Sequence, residues 1–301
     1  MWGRMRRGLW KLNEAARDRV GLAWRDELAV DIHIHLQDID CLEILADREF
    51  CASRQRIAAL RELARQVPLS LHSVALGLAS SQPVDEKRLA RVAALASRIE
   101  PDHWSEHLAF VRAGGFEIGH LAAAPYRPET LEGTLRNVER AQHVVGRLPH
   151  LENIATSIRP PGSLWSEEQF IDAVLQGTRT PMLLDLHNLY ANAWNFGRDP
   201  LELLRAMPLE KVRSVHLSGG CIVRDAAGNA RLVDDHLHDP PDVVFELLQV
   251  VGAQATCGLT VILERDGLFP DFNAVLRQLS LARAALARGR AQQALSRSAA
   301  A

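Results

Sequence analysis

Six short apolar runs in this sequence each carry, at or near their ends, a residue type that binds metal ions. LSLHSV holds His72 and SEHLAF holds His107. LEN supplies Glu152 and Asn153, and MLLDLHN supplies Asp185, His187 and Asn188. VHLSG holds His216, and VILERD holds Glu264 and Asp266. After VHLSG, the segment VDDHLHD adds Asp234, Asp235, His236 and His238. A carboxylate or imidazole in an apolar run is costly to bury unless it is paired or bound to a cation. One such residue is explained by a salt bridge. Six in succession call for a shared positive charge.

The candidate ligands are His72, His107, Glu152, Asp185, Asn188, His216, Asp234, His236 and Glu264. They exceed the needs of one ion, so two or three metals are expected. Glu152 is the natural bridge, because it falls between the two early histidines and the later ligands. Glu152, Asp185 and His216 are also the candidate catalytic residues. The set is rich in oxygen and nitrogen and lacks thiolates, which suits zinc, iron or manganese. Ligand chemistry alone does not separate iron from zinc. Each residue also has a bland reading. His72 alone is a satisfied core histidine, Asp185 is a helix cap, and Glu264-Arg265-Asp266 is a surface ion pair. Ligating histidines need a partner on the other ring nitrogen, and Asp266, Glu106 and Asp235 are candidates. His187 and His238 stay undecided, and Asn153 reads as a supporting or substrate-binding group. His33 and His35 read as surface or supporting residues. His103 and His120 fit the pattern less well, and His143 and His150 read as solvated.

These residues need elements to hold them. Eight brief apolar runs read as strands, at 20–24, 41–45, 69–74, 103–108, 151–154, 182–186, 212–217 and 259–263. Helical spacing marks 53–66, 86–99, 129–145, 167–175, 200–206, 241–251 and 272–287. Ser53, Asp85, Ser166 and the Asp199-Pro200 pair are placed to cap helices. Alternation of strand and helix implies parallel strands with right-handed crossovers. Eight repeats favour a closed (β/α)8 TIM barrel of the xylose-isomerase-like kind. Such barrels carry their sites at the carboxyl ends of the strands, where the candidate ligands fall. The stretch 224–231, with Asp225, Gly228 and Asn229, reads as a turn or short hairpin.

The chain has 301 residues and a formal net charge of −2, which suits one large domain and excludes a strongly basic nucleic-acid binder. One barrel domain is expected over 1–287, with a flexible tail over 288–301. The basic N-terminus MWGRMRRGLWKL lacks the apolar run of a signal peptide. No stretch approaches a membrane span. Cys41, Cys51, Cys221 and Cys257 form no C-x-x-C pair and read as reduced, small buried residues of a cytoplasmic protein.

Over 68–281 the sequence resembles the multinuclear non-haem iron oxidative enzymes, a family long known as a domain of unknown function and typified by the methanobactin-biosynthesis oxygenase. The resemblance rests on SLHSVALGLAS (70–80), SEHLAF (105–110), GHLAAAPY (119–126), LEN (151–153), LLDLHNLYANAWNFGRDP (183–200), VHLSG (215–219), VDDHLHD (233–239) and ILERDG (262–267). It implies that Glu152, Asp185, His216 and Glu264 hold one iron. His72 and His107, sharing Glu152, would hold a second, and Asn188, Asp234 and His236 a third, more labile one. It further implies a mixed-valence iron pair and O2 as co-substrate, oxidising a residue, often cysteine, of a ribosomally made precursor peptide. A small partner protein commonly presents that peptide. The sequence departs from the family pattern at GLAWR (21–25), at Asp47-Arg48 and at Ser73. These departures bear on the substrate side, which the second strand and its loop are expected to shape.

A looser resemblance links the same ligand order to the endonuclease-IV-like trinuclear zinc hydrolases and the xylose-isomerase-like barrels. Those nucleases place a histidine where Asn188 stands here, and the basic rim that DNA requires is missing. A non-catalytic binding subunit is a third reading, opposed by the near-complete ligand set.

Overall fold

A computed structural model describes residues 17–113 and 115–300. The N-terminal segment MWGRMRRGLWKL and Ala301 lie outside the described residues. Twelve strands are present among those described. They are β1 (Arg19–Ala23), β2 (Leu42–Leu45), β3 (Leu69–Ser73), β4 (His103–His107), β5 (Phe110–Ala113), β6 (Phe116–Ala122), β7 (His150–Glu152), β8 (Met182–Asp185), β9 (Val212–Leu217), β10 (Gly220–Arg224), β11 (Ala230–Asp234) and β12 (Thr260–Leu263). Eight close into a barrel in the order β1-β12-β9-β8-β7-β4-β3-β2, and every pair is parallel. Each of the eight expected runs overlaps one of these strands. The (β/α)8 barrel is therefore the fold.

Period-two alternation sorts each strand into two faces. Leu69 and Leu71, Val215 and Leu217, and Val261 and Leu263 join the large apolar core between strands and helices. The alternate residues Ser70, His72, Ser214, His216, Thr260 and Glu264 are buried too, but outside that core. They line the barrel interior. The interior is narrow at β1. A Cβ added at Gly21 would overlap the Cys41 backbone carbonyl, so this position of GLAWR admits only glycine.

The helices start where the capping chemistry places them. Ser53 accepts from Arg56 N–H, Asp85 from Lys87 and Arg88 N–H, and Asp199 from Glu202 N–H. Ser166 and Gln169 form a reciprocal capping box. Four features depart from the sequence reading. First, the last helix runs over Phe272–Ala300 instead of ending at residue 287. Arg290, inside the expected tail, holds it by bonding Asp18 and the carbonyls of Ala255 and Cys257. Second, β5 and β6 form an antiparallel hairpin whose exposed residues give little alternation to read. Third, a helix over Leu186–Phe196 follows β8 with no intervening loop. Fourth, only Cys41 is buried; Cys51 is exposed, and Cys221 and Cys257 are half-buried, all four as free thiols. The expected turn at 224–231 joins β10 to β11, with Asp225 accepting from Ala227 and Asn229 N–H.

His150 is half-buried, not an exposed surface residue. It stacks on His103 with centroids 4.4 Å apart and planes 12° from parallel, and both bond Ser214 Oγ. Burial holds His103 down at about 4 and His150 well below the usual range. Both rings are thus neutral when folded. Unfolded histidines titrate near 6.5. Between about 4 and 6.5 the unfolded chain binds more protons, so stability is full above that window and falls as pH drops through it. His103 alone accounts for up to about 3 kcal/mol of this loss. Urea unfolding from pH 7 to pH 4 should show a shallower decline in His103→Gln than in the parent. Parallel declines would exclude the stacked pair as a source.

Candidate metal centre

Each barrel strand from β3 onward delivers its polar residue at the carboxyl end. His72 and His107 stand on β3 and β4, in edge-to-face contact at 4.7 Å between centroids. Their Nε2 atoms lie 3.5 and 3.4 Å from the same oxygen, Glu152 Oε2. That oxygen is buried and accepts no hydrogen bond. Glu152 Oε1 is 3.2 Å from His216 Nδ1, which is also 3.1 Å from Glu264 Oε2. One imidazole nitrogen facing two carboxylates is the arrangement of ligands around a cation. Besides Glu43-His72-His216 and the outlying Cys221-Asp235-His238, two groups meet at one residue, each with its ligand atoms within 4.8 Å of one another: His72-His107-Glu152, and Glu152-Asp185-His216-Glu264. They share Glu152.

Asp185 does two jobs with its two oxygens. It caps the Leu186–Phe196 helix, Oδ1 accepting from Asn188 N–H at 2.7 Å. Oδ2 is buried without a hydrogen bond. The expected cap is therefore present on one oxygen, and the other is left without a hydrogen bond. Asn153 exchanges two bonds with the Asp185 backbone, its Oδ1 accepting from N–H and its Nδ2 donating to the carbonyl. It positions Asp185. Asn188 Nδ2 donates to the Asn153 carbonyl, and its Oδ1 is left without a partner.

Asp234 and His236 meet at the end of the β10–β11 hairpin, Oδ2 to Nε2 at 2.8 Å. His236 holds a left-handed backbone, φ 56°, uncommon for a residue with a side chain. Its N–H bonds the Gly219 carbonyl and its own carbonyl takes the Asp266 N–H, which fixes the conformation. His187, undecided from sequence, is buried and bonds Asp234 Oδ1 at 2.8 Å, as does Ser218 Oγ at 3.0 Å. Gly220 lets the hairpin lie close: a Cβ there would run into the Val233 carbonyl and the His187 ring.

The outer nitrogens have partners of several kinds. His72 Nδ1 meets Ser105 Oγ at 2.9 Å, and His236 Nδ1 lies 3.5 Å from Asp266 Oδ2. Asp266 is in turn gripped by Arg25. The other two expected supporters act elsewhere. Glu106 points away from the site and accepts from the N–H groups of Leu76 and His107, because it alternates with the ligand beside it. Asp235 bonds His238 and Leu237 N–H. His33 and His35 are surface residues resting on Trp24 and Phe272. His120 and His143 are exposed. One site residue escaped the sequence reading. Glu43 on β2 is buried, with Oε1 2.9 Å from His216 Nε2. The signal was there in CLEIL, a carboxylate in an apolar run, as in the six runs that were read.

The protonation pattern reflects crowded acids. Burial pushes Asp185 well above the carboxylate range, aided by Asp234 and Glu152. Burial opposes a proton on His216, yet Glu264, Glu43 and Glu152 together hold it well above the imidazole range. His236 is raised likewise, against burial, by Glu264 and Asp234. Protons thus stand in where positive charge is needed. Unpartnered oxygens on Glu152, Asp185 and Asn188, nitrogen and oxygen donors, and no thiolate fit a multinuclear centre of iron, manganese or zinc. Beside it, at the ends of β1 and β2, a cavity of about 340 Å³ is lined by Trp24, Arg25, Arg48, Glu49, Cys51 and Arg56.

A parallel (β/α)8 barrel with clustered histidines and carboxylates at its carboxyl end defines a TIM-barrel protein with a candidate metal centre. The family model for the RiPP precursor modification enzymes MbnB/TglH/ChrH matches residues 19–287. The chain belongs to that family, whose members modify ribosomally made precursor peptides. A UPF0276 protein of Streptomyces avermitilis is 34% identical over 273 residues, covering 88% of this chain and 54% of the relative, so the chain spans about half of that protein. A UPF0276 protein of Bordetella parapertussis is 33% identical over 271 residues, covering 90% of this chain and 93% of the relative. Among solved structures, a xylose isomerase domain protein from Planctomyces limnophilus superposes with a TM-score of 0.55 at 15% identity, over 93% of this chain and 99% of that one. That likeness concerns the fold alone. Among the described residues no helix is long and apolar enough to cross a membrane.

Proposed function

We propose that this chain is a multinuclear iron enzyme that uses O2 to oxidise a residue, most simply a cysteine, of a ribosomally synthesised precursor peptide. The observation that carries the reading is the pair of ligand groups joined through Glu152, whose two oxygens face different histidines. Bound there, iron would supply one-electron chemistry with O2 that no side chain provides. His72, His107 and Glu152 would hold one ion, and Glu152, Asp185, His216 and Glu264 another. Asn188, Asp234 and His236 would hold a third. The protein's part is to fix these groups and to seat the peptide. The Trp24–Arg56 cavity supports a peptide approach over β1 and β2. Arg25 lines it and also bonds Asp266, the partner of His236, so it joins the two regions. A small partner protein would present the peptide.

Metal analysis with Mössbauer spectroscopy on anaerobically purified protein tests the reading. Two or three irons per chain, part ferrous and part ferric, are expected. Exposure to O2 with a cysteine-containing precursor peptide encoded nearby should change the peptide's mass. Zinc alone, with phosphodiesterase activity and no O2 uptake, would overturn it in favour of an endonuclease-like hydrolase.

A further inference from the structure

We infer that Glu43 is the positioning residue for His216, holding the ring so that Nδ1 faces the metal centre. The inference rests on the metal-centre reading above and adds a residue to it. Glu43 is 2% exposed and His216 is fully buried. The two nitrogens of an imidazole point to different sides of the ring. Nδ1 of His216 faces Glu152 and Glu264, at 3.2 and 3.1 Å. Nε2 lies 2.9 Å from Glu43 Oε1, an ion-pair contact that is off hydrogen-bond alignment. A cation gathered by Glu152, Asp185 and Glu264 lies on the Nδ1 side, which leaves Glu43 behind the ring.

Strand register agrees. On β3, Ser70 is the neighbour of Glu43, while His72 is the neighbour of Leu45. Glu43 thus stems from a layer two residues below His72, on the side of the barrel away from the ligand ends. Its second oxygen is tied down there by Ser70 Oγ at 3.1 Å. A carboxylate this close to Nε2 favours the proton there and so leaves the Nδ1 lone pair for the metal. It also makes that nitrogen a stronger donor. The other histidines have weaker supports. His72 Nδ1 meets a hydroxyl, and His107 Nδ1 has no carboxylate of the described residues within ion-pair distance. His216 is the histidine with a buried carboxylate on each side.

The test is Glu43→Gln, which keeps the shape and removes the charge. Cobalt(II) would be titrated into metal-free parent and variant, with stoichiometry, affinity and visible absorption recorded. Melting temperatures of both metal-free proteins would be taken alongside. The expected result is unchanged stoichiometry at saturation, affinity weakened about 10- to 100-fold, an altered cobalt ligand-field spectrum, and a metal-free melting temperature that does not fall. Equal affinity and an unchanged spectrum would overturn the assignment. So would loss of a whole metal equivalent at saturation, which would make Glu43 a ligand. Metal loss that merely tracks a fall in metal-free stability would reduce Glu43 to a structural role and overturn it too. A parent that binds no cobalt would instead count against the metal centre itself.

Discussion

Glu152→Ala should empty the centre of more than one ion and abolish activity on the peptide. Glu152 is the residue both ligand groups contain, so its loss leaves His72 and His107 without a carboxylate and removes one of three from the other group. Losing a residue that merely orients a ligand costs about 10- to 100-fold in affinity. Losing a shared ligand should exceed that, with metal content below one ion per chain after gel filtration. Asp185→Ala should also abolish activity but leave the His72-His107-Glu152 group intact, so it should retain more metal than Glu152→Ala. Asp185→Ala further removes the cap on the Leu186–Phe196 helix, at a cost of about 1 kcal/mol. Asp185→Asn separates the two effects, because its remaining oxygen can still accept from Asn188 N–H. Metal content by mass spectrometry and turnover of the peptide check the pair. Substantial activity in Glu152→Ala would remove the bridging role.

The barrel was legible because its strands are short, apolar and separated by capped helices. The clustering of the candidate ligands was legible because most of them interrupt apolar runs. What was missed has physical causes. Glu43 sits within β2, below the strand ends where barrel ligands are expected. His150 reads as polar loop sequence, and its burial depends on stacking with His103, which lies on the adjacent barrel strand and 47 positions away in sequence. Glu106 was misassigned because a strand turns adjacent residues to opposite faces, and its neighbour His107 takes the inner one. The role of His187 becomes readable only once the β10–β11 hairpin folds back to bring Asp234 against it.

Metal binding should expel protons, and it should therefore strengthen as pH rises. In the metal-free protein His216 and His236 hold protons above the usual imidazole range, and Asp185 holds one above the usual carboxylate range. A cation must displace them to reach those atoms. Each proton released adds about tenfold in affinity per pH unit across the range in which it is held. Below that range metal competes with protons and is lost; above it the dependence flattens. Calorimetric titration at one pH in buffers of different ionisation enthalpy counts the protons directly, and a value of at least one per metal is expected. Stripping the metal should also destabilise the fold. It leaves Glu43, Glu152, Glu264 and Asp234 buried together with only the protonated histidines between them. A ligand at 1,000 times its dissociation constant contributes about 4 kcal/mol. For a chain of this size that corresponds to a fall in melting temperature on the order of 10 °C after chelation. The fall should be larger at pH 8 than at pH 6, because metal is held more tightly at the higher pH. Equal shifts at both pH values with no proton release would show that the buried histidines are already neutral before metal arrives.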